Sequence, residues 1–238
     1  MLFRSRPAPF ATCLLLLCWL AGMATAQDWR VVDRPTPVAA ITYDSARQCV
    51  QALDQRAELY EATDKRWLLR PAAQALPTSG EVSLCHDLVR RRTVALVVSN
   101  RLQPAATYEW DGLGWTLRTT QHAPVFSMHA LTFDPVRNVV LALGRNEVRG
   151  GMDTWSYDGT DWSLLSLSGP PVPQSLQMTM DRARGIAVAM LSVFGTAAGF
   201  QTWEWNGTAW SQRLIATPAL RDFYAYGYDE GRQRTLLA

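Results

Sequence analysis

Five aspartates stand at near-equal intervals along the chain. Asp44, Asp87, Asp134, Asp181 and Asp229 are separated by 43, 47, 47 and 48 residues. Each is followed three positions later by an arginine: Arg47, Arg90, Arg137, Arg184 and Arg232. A period of this length marks a chain assembled from copies of one supersecondary unit, none of which can bury its apolar face alone. A second mark runs out of phase with the first. Trp67, Trp115, Trp162 and Trp210 recur after 48, 47 and 48 residues. Three of them close near-copies of one phrase: Thr107 to Gly112 before Trp115, Thr154 to Gly159 before Trp162, and Thr202 to Gly207 before Trp210. The first copy keeps only Tyr60 and Glu61 ahead of Trp67.

Each period reads as four strands. An apolar segment ends at the Asp. A tight turn follows, in which the Asp carboxylate accepts from backbone N–H groups, and Pro135 presets φ in one copy. The apolar run after the Arg is the second strand, as in Val139 to Leu143. The Thr-aromatic-x-aromatic phrase alternates with period two and gives the third. Asp-Gly or Asn-Gly then marks a second hairpin, and the fourth strand opens at the Trp. No amphipathic helical pattern stands out. Stacked copies of such a unit bury both faces, and a ring of them protects the edges, so the expected fold is an all-β propeller of four-stranded antiparallel blades. Four full repeats are present, with partial ones at both ends. The recurring Trp and Tyr residues read as packing between blades, and the Asp and Arg marks as turn caps and ion pairs.

These phrases resemble bacterial kelch-type propeller repeats, of the kind also found in the propeller domain of galactose oxidase. The resemblance runs from about Trp29 to Ala238 and implies architecture more than activity. The double glycine usual at the end of the second kelch strand is eroded here to Leu143-Gly144-Arg145 and Phe194-Gly195-Thr196. Galactose oxidase would suggest copper and a Tyr–Cys pair, but none of its metal ligands can be matched here, so no cofactor and no metal are assigned. The sialidase Asp-box is a weaker match: Ser156 to Trp162 is one residue short of it. Related propellers carry six or seven blades, so the fifth unit, stopping at Ala238, predicts a truncated propeller. The alternative is a five-bladed ring completed by a strand at Trp29.

The first 26 residues have a different character. Arg4 and Arg6 precede an apolar run from Leu14 to Leu20, and Ala24-Thr25-Ala26 supplies small residues before Gln27. That order reads as a secretory signal peptide over 1–26, leaving 27–238 as the propeller and placing it in the periplasm or outside the cell. Residues 27–238 then carry 21 basic and 21 acidic side chains. A balanced body has no field with which to gather nucleic acid, and no membrane span is expected after cleavage. All the basic residues but Lys65 are arginine, which reads as codon bias of a GC-rich, bacterial genome. Cleavage removes Cys13 and Cys18. Cys49 and Cys85 remain as a possible disulfide, or as two small buried hydrophobes.

Strand parity sorts the connections into two faces. The Asp-x-x-Arg and Asp-Gly turns share one, and the longer, more variable loops share the other. Binding sites concentrate on variable loops held by a rigid scaffold. The candidates there are Arg101, His122, Arg145, Glu147, Arg149, Arg221 and Asp222. Catalytic signatures are thin: His86, His122 and His129 are the only histidines, and no nucleophile elbow, phosphate loop or dinucleotide fingerprint appears. The expected function is therefore a non-catalytic module that binds a protein or a glycan. The alternative is a truncated propeller enzyme acting on carbohydrate.

Overall fold

The computed structural model describes residues 37–62, 66–72, 74–77, 79–193, 200–215 and 226–237. Residues 1–26, which the sequence reads as a signal peptide, and Trp29, Arg221 and Asp222 lie outside them. All described regular structure is β. Blade 1 holds β1 (Val38–Asp44), β2 (Cys49–Asp54), β3 (Leu59–Ala62) and β4 (Trp67–Arg70). Blade 2 holds β5 (Glu81–Asp87), β6 (Arg92–Val98), β7 (Ala106–Trp110) and β8 (Trp115–Arg118). Blade 3 holds β9 (Met128–Asp134), β10 (Val139–Asn146), β11 (Gly151–Tyr157) and β12 (Trp162–Ser166). Blade 4 holds β13 (Ser175–Asp181), β14 (Ile186–Ser192), β15 (Phe200–Trp205) and β16 (Trp210–Arg213). A hairpin of β17 (Tyr226–Asp229) and β18 (Arg234–Leu237) follows. Every blade is an antiparallel meander in chain order. Successive first strands β1, β5, β9, β13 and β17 adjoin one another, which places them around the axis and the Trp-led strands on the rim. The chain is thus an all-β propeller with four four-stranded blades.

The second strands show why the blades must stack. In β6, Val94, Leu96 and Val98 pack toward blade 3 with Phe126, Leu131, Phe133 and Trp162. The intervening Ala95 and Val97 pack toward blade 1 with Leu53, Leu59 and Trp110. β10 divides in the same way, Val140 and Ala142 to one side, Leu141 and Leu143 to the other. Successive side chains of a strand point to opposite faces. A strand apolar at every position therefore needs a neighbour on each side, which alternation with polar residues would not require.

The five Asp-x-x-Arg turns are built alike. In each, Asp Oδ1 accepts from the backbone N–H of the Arg, at 2.8–3.1 Å. Oδ2 receives the guanidinium at 2.6–2.9 Å. The residue after each Arg (Gln48, Arg91, Asn138, Gly185, Gln233) has φ between 50° and 67°, closing the hairpin through the left-handed region.

Candidate functional site

The turn face is given over to holding the blades together. Arg47, Arg90 and Arg137 reach past their own turns onto the Asp-Gly or Asn-Gly turn of the next blade. A Cβ on Gly112, Gly159 or Gly207 would lie 1.5, 2.5 or 1.8 Å from the respective guanidinium. These glycines also hold φ near 103°, a conformation that side chains rarely adopt. The third strand adds a carboxylate. Glu61 takes Arg47 and Arg70 at 3.5 and 2.6 Å. Glu109 takes Arg90 and Arg118, and Glu204 takes Arg184 and Arg213. Blade 3 lacks both ends of this clamp: Ser156 stands for the Glu and Leu165 for the outer Arg. There Arg137 donates instead to the Asn206 carbonyl of blade 4 at 2.7 Å. The Trp marks lock blades too. Trp162 Nε1 donates to Thr107 Oγ1, and Trp210 Nε1 to Thr154 Oγ1, both at 2.8 Å. Tyr157 reaches across to Glu109 at 3.0 Å, and burial first, then this carboxylate, pushes its phenol up to about 12.

Between blades 1 and 2, Asp44, His86 and Thr93 form an acid–imidazole–hydroxyl row, at 3.4 and 3.1 Å. It cannot attack a substrate. Thr93 is wholly buried and donates to Gln51 Oε1 at 2.6 Å, and burial pulls the His86 pKa down. The row is a polar core of the interface. Cys49 and Cys85 are both buried and are not joined in a disulfide, with burial pushing the Cys85 thiol far up.

The loop face gathers most of the described candidates. Arg101 lies in the β6–β7 loop; burial raises the Glu81 carboxyl at the start of β5, and the Arg101 charge offsets only part of that rise. Arg145 pairs with Glu147 at 3.1 Å. Arg149 is committed elsewhere: it binds the buried Asp153 and the Leu167 carbonyl, while Asn146 holds the other Asp153 oxygen at 2.8 Å. Between these charges stand exposed apolar tips, Leu102 at 62% and Val148 at 74%. His122 does not join them. Its ring and backbone N–H hold Asp161 at 2.7 and 2.9 Å. Asp161 sits in the β11–β12 turn, at the opposite end of β11 from the β10–β11 loop. β8 is only four residues long, so the connection leaves it still close to the turn face and meets Asp161 first. The hydrogen bonds from His122, backbone first, hold the Asp161 carboxyl down to about 2.

Sequence reasoning missed the axis. A cavity of about 730 Å³ opens toward the loop face, with Asp54, Gln55, Glu81, Ser83 and Gln177 among its walls. A second, of about 420 Å³, lies toward the turn face, beside Thr42, Tyr43, Thr179 and Tyr228. The two share Ile41, Leu84, Leu131 and Met178, together with Gln177 and Tyr226. The only sequence signal was indirect: carboxylates at the loop-face ends of two strands, Asp54 closing β2 and Glu81 opening β5.

No protein-family model matches the chain, and no curated protein matches its sequence. Solved structures match its fold. A chain of a nidogen/laminin complex is 13% identical with a TM-score of 0.55, over 84% of this chain and 74% of the other. A fungal lectin of Aleuria aurantia, a six-bladed β-propeller with a fucose recognition mode, is 12% identical with a TM-score of 0.51, over 76% and 62%. TolB of Acinetobacter baumannii is 9% identical with a TM-score of 0.54, over 84% and 51%. The chain thus spans about half of TolB and under two thirds of the lectin. At these identities the likeness is one of fold.

Proposed function

We propose that this chain is an exported, non-catalytic binding module of kelch type, which holds a protein or glycan partner on its loop face. The observation that carries the reading is the division of labour between faces. On the turn face the repeated charges are consumed by turns and blade contacts. On the loop face Leu102 and Val148 stand exposed among Arg101, Arg145 and Glu147, the mixture of apolar tips and charge expected of an interaction patch. The fold neighbours include a lectin and a chain of a protein–protein complex, both compatible with such a role, although one fold hosts many functions. Export rests on the charge, apolar core and small-residue order of residues 1–26. The kelch assignment rests on the repeat marks and on Gly144, where a Cβ would sit 2.5 Å from the Phe126 ring.

The test is a glycan array alongside a cross-linking screen of envelope and extracellular proteins. Three proteins are compared: the chain itself, a loop-face variant (Arg101→Ser, Leu102→Ser, Val148→Ser), and a turn-face variant (Val89→Ser, Val136→Ser). The reading predicts a ligand lost at least tenfold by the loop-face variant and kept by the turn-face one. Equal retention by both, or loss by the turn-face variant alone, contradicts it.

A further inference from the structure

The axial cavity has a chemistry separate from the loop-tip patch. Its described wall residues include two carboxylates, Asp54 and Glu81, and neither Lys nor Arg. Asp54 is 7% exposed. Its Oδ1 is occupied, accepting from the backbone N–H of Arg56 and Glu58 at 2.9 Å each. Its Oδ2 takes no hydrogen bond from a described residue, and Asp54 lines the cavity. A carboxylate oxygen with no donor from the described residues can accept from a molecule held in the cavity. Glu81 likewise forms no ion pair within 4 Å among the described residues. Arg101, the cation that acts on it, stands outside the cavity wall. The remaining polar wall residues, Gln55, Ser83, His129, Gln177 and Tyr226, all offer acceptors. Ser83 already spends its proton on the His129 carbonyl at 3.1 Å. The far wall is hydrocarbon: Ile41, Leu53, Leu84 and Leu131.

We infer that the loop-face end of the axial cavity binds a small organic amine, its ammonium held by Asp54 and Glu81 and its carbon body laid against Ile41, Leu84 and Leu131. The volume, about 730 Å³, is that of a small-molecule pocket. An anion finds no cation among the described wall residues. A bare metal ion finds no group of three suitable ligands among the described residues, and it would leave the apolar wall unused. The inference does not depend on the loop-face reading. That reading concerns a macromolecule on the loop tips, and either can fail alone.

The test is titration calorimetry of the full chain with three six-carbon probes: hexylamine, hexanol and hexanoate. Hexylamine binds at least tenfold more tightly than hexanol, and hexanoate binds weakest. Glu81→Gln and Asp54→Asn each remove most of the amine's advantage and leave hexanol unchanged. Asparagine keeps an acceptor for the Arg56 and Glu58 N–H groups, so the turn survives that change, and Glu81→Gln lies on an exposed strand end. Leu102→Ser with Val148→Ser leaves hexylamine affinity as it was. Equal affinity for all three probes, no heat with any of them, or an amine preference that survives both substitutions would overturn the inference.

Discussion

Arg90 shows how much one repeat mark does. Its guanidinium closes its own turn on Asp87, reaches Glu109, lies over the Tyr157 ring at 5.1 Å, and blocks the space above Gly159. The first of these contacts was legible in the sequence, because Asp and Arg three apart read as a turn. Glu109 lies further along the same blade, while Tyr157 and Gly159 belong to the next, and spacing along the chain cannot show these contacts. One clue was available: where Ser156 replaces the Glu, Leu165 replaces the outer Arg. Gly159 has φ of 102° and a guanidinium 2.5 Å from its missing Cβ. Gly159→Ala should therefore cost roughly 1–3 kcal/mol in chemical denaturation, while Gly114→Ala, with nothing within 4 Å, stays within about 0.5 kcal/mol of the parent. His129 supplies a pH-dependent counterpart. Its Nε2 faces the Leu96 carbonyl at 3.2 Å, and burial holds its pKa down to about 4. The unfolded chain takes up this proton first, near pH ~6.5. The contribution is complete above that pH and is lost as the pH falls toward 4, up to about 3 kcal/mol. His129→Gln keeps a donor for Leu96 and should flatten the pH–stability curve between 6.5 and 4.

At the scale of the element, the third and fourth strands of adjacent blades are tied by an indole and a hydroxyl. Trp162 is buried and donates to Thr107, which is buried as well. Thr107→Val keeps the shape and strands the indole N–H, at a cost of about 1–3 kcal/mol. Thr154→Val should cost less, since its donor Trp210 is only part-buried; urea midpoints of the two variants decide the order. Strands and their meander order were readable from period-two phrases and Asp-Gly signals. His122 was misplaced because parity assigns a face to a connection as a whole. A nine-residue connection after a four-residue strand passes both ends of the next blade, and His122 stops at the first. The axial carboxylates escaped notice for a related reason: Asp54 and Glu81 belong to different blades and carry no repeat mark.

For the whole molecule, each blade interface combines an apolar cluster, an Arg-on-Gly contact and, in two cases, a Trp–Thr bond. Stacked repeats otherwise tend to melt piecewise, each unit answering only to its neighbours. Here the second strands are apolar on both faces, so a blade that detaches exposes core on two sides, and the units should unfold together. Differential scanning calorimetry of the chain tests this most directly. The account predicts one transition with the calorimetric enthalpy equal to the van't Hoff value, and Arg90→Ala shifting that single transition downward without splitting it. Several resolved transitions, or a calorimetric enthalpy well above the van't Hoff value in the parent chain, would show that the blades are not locked into one body.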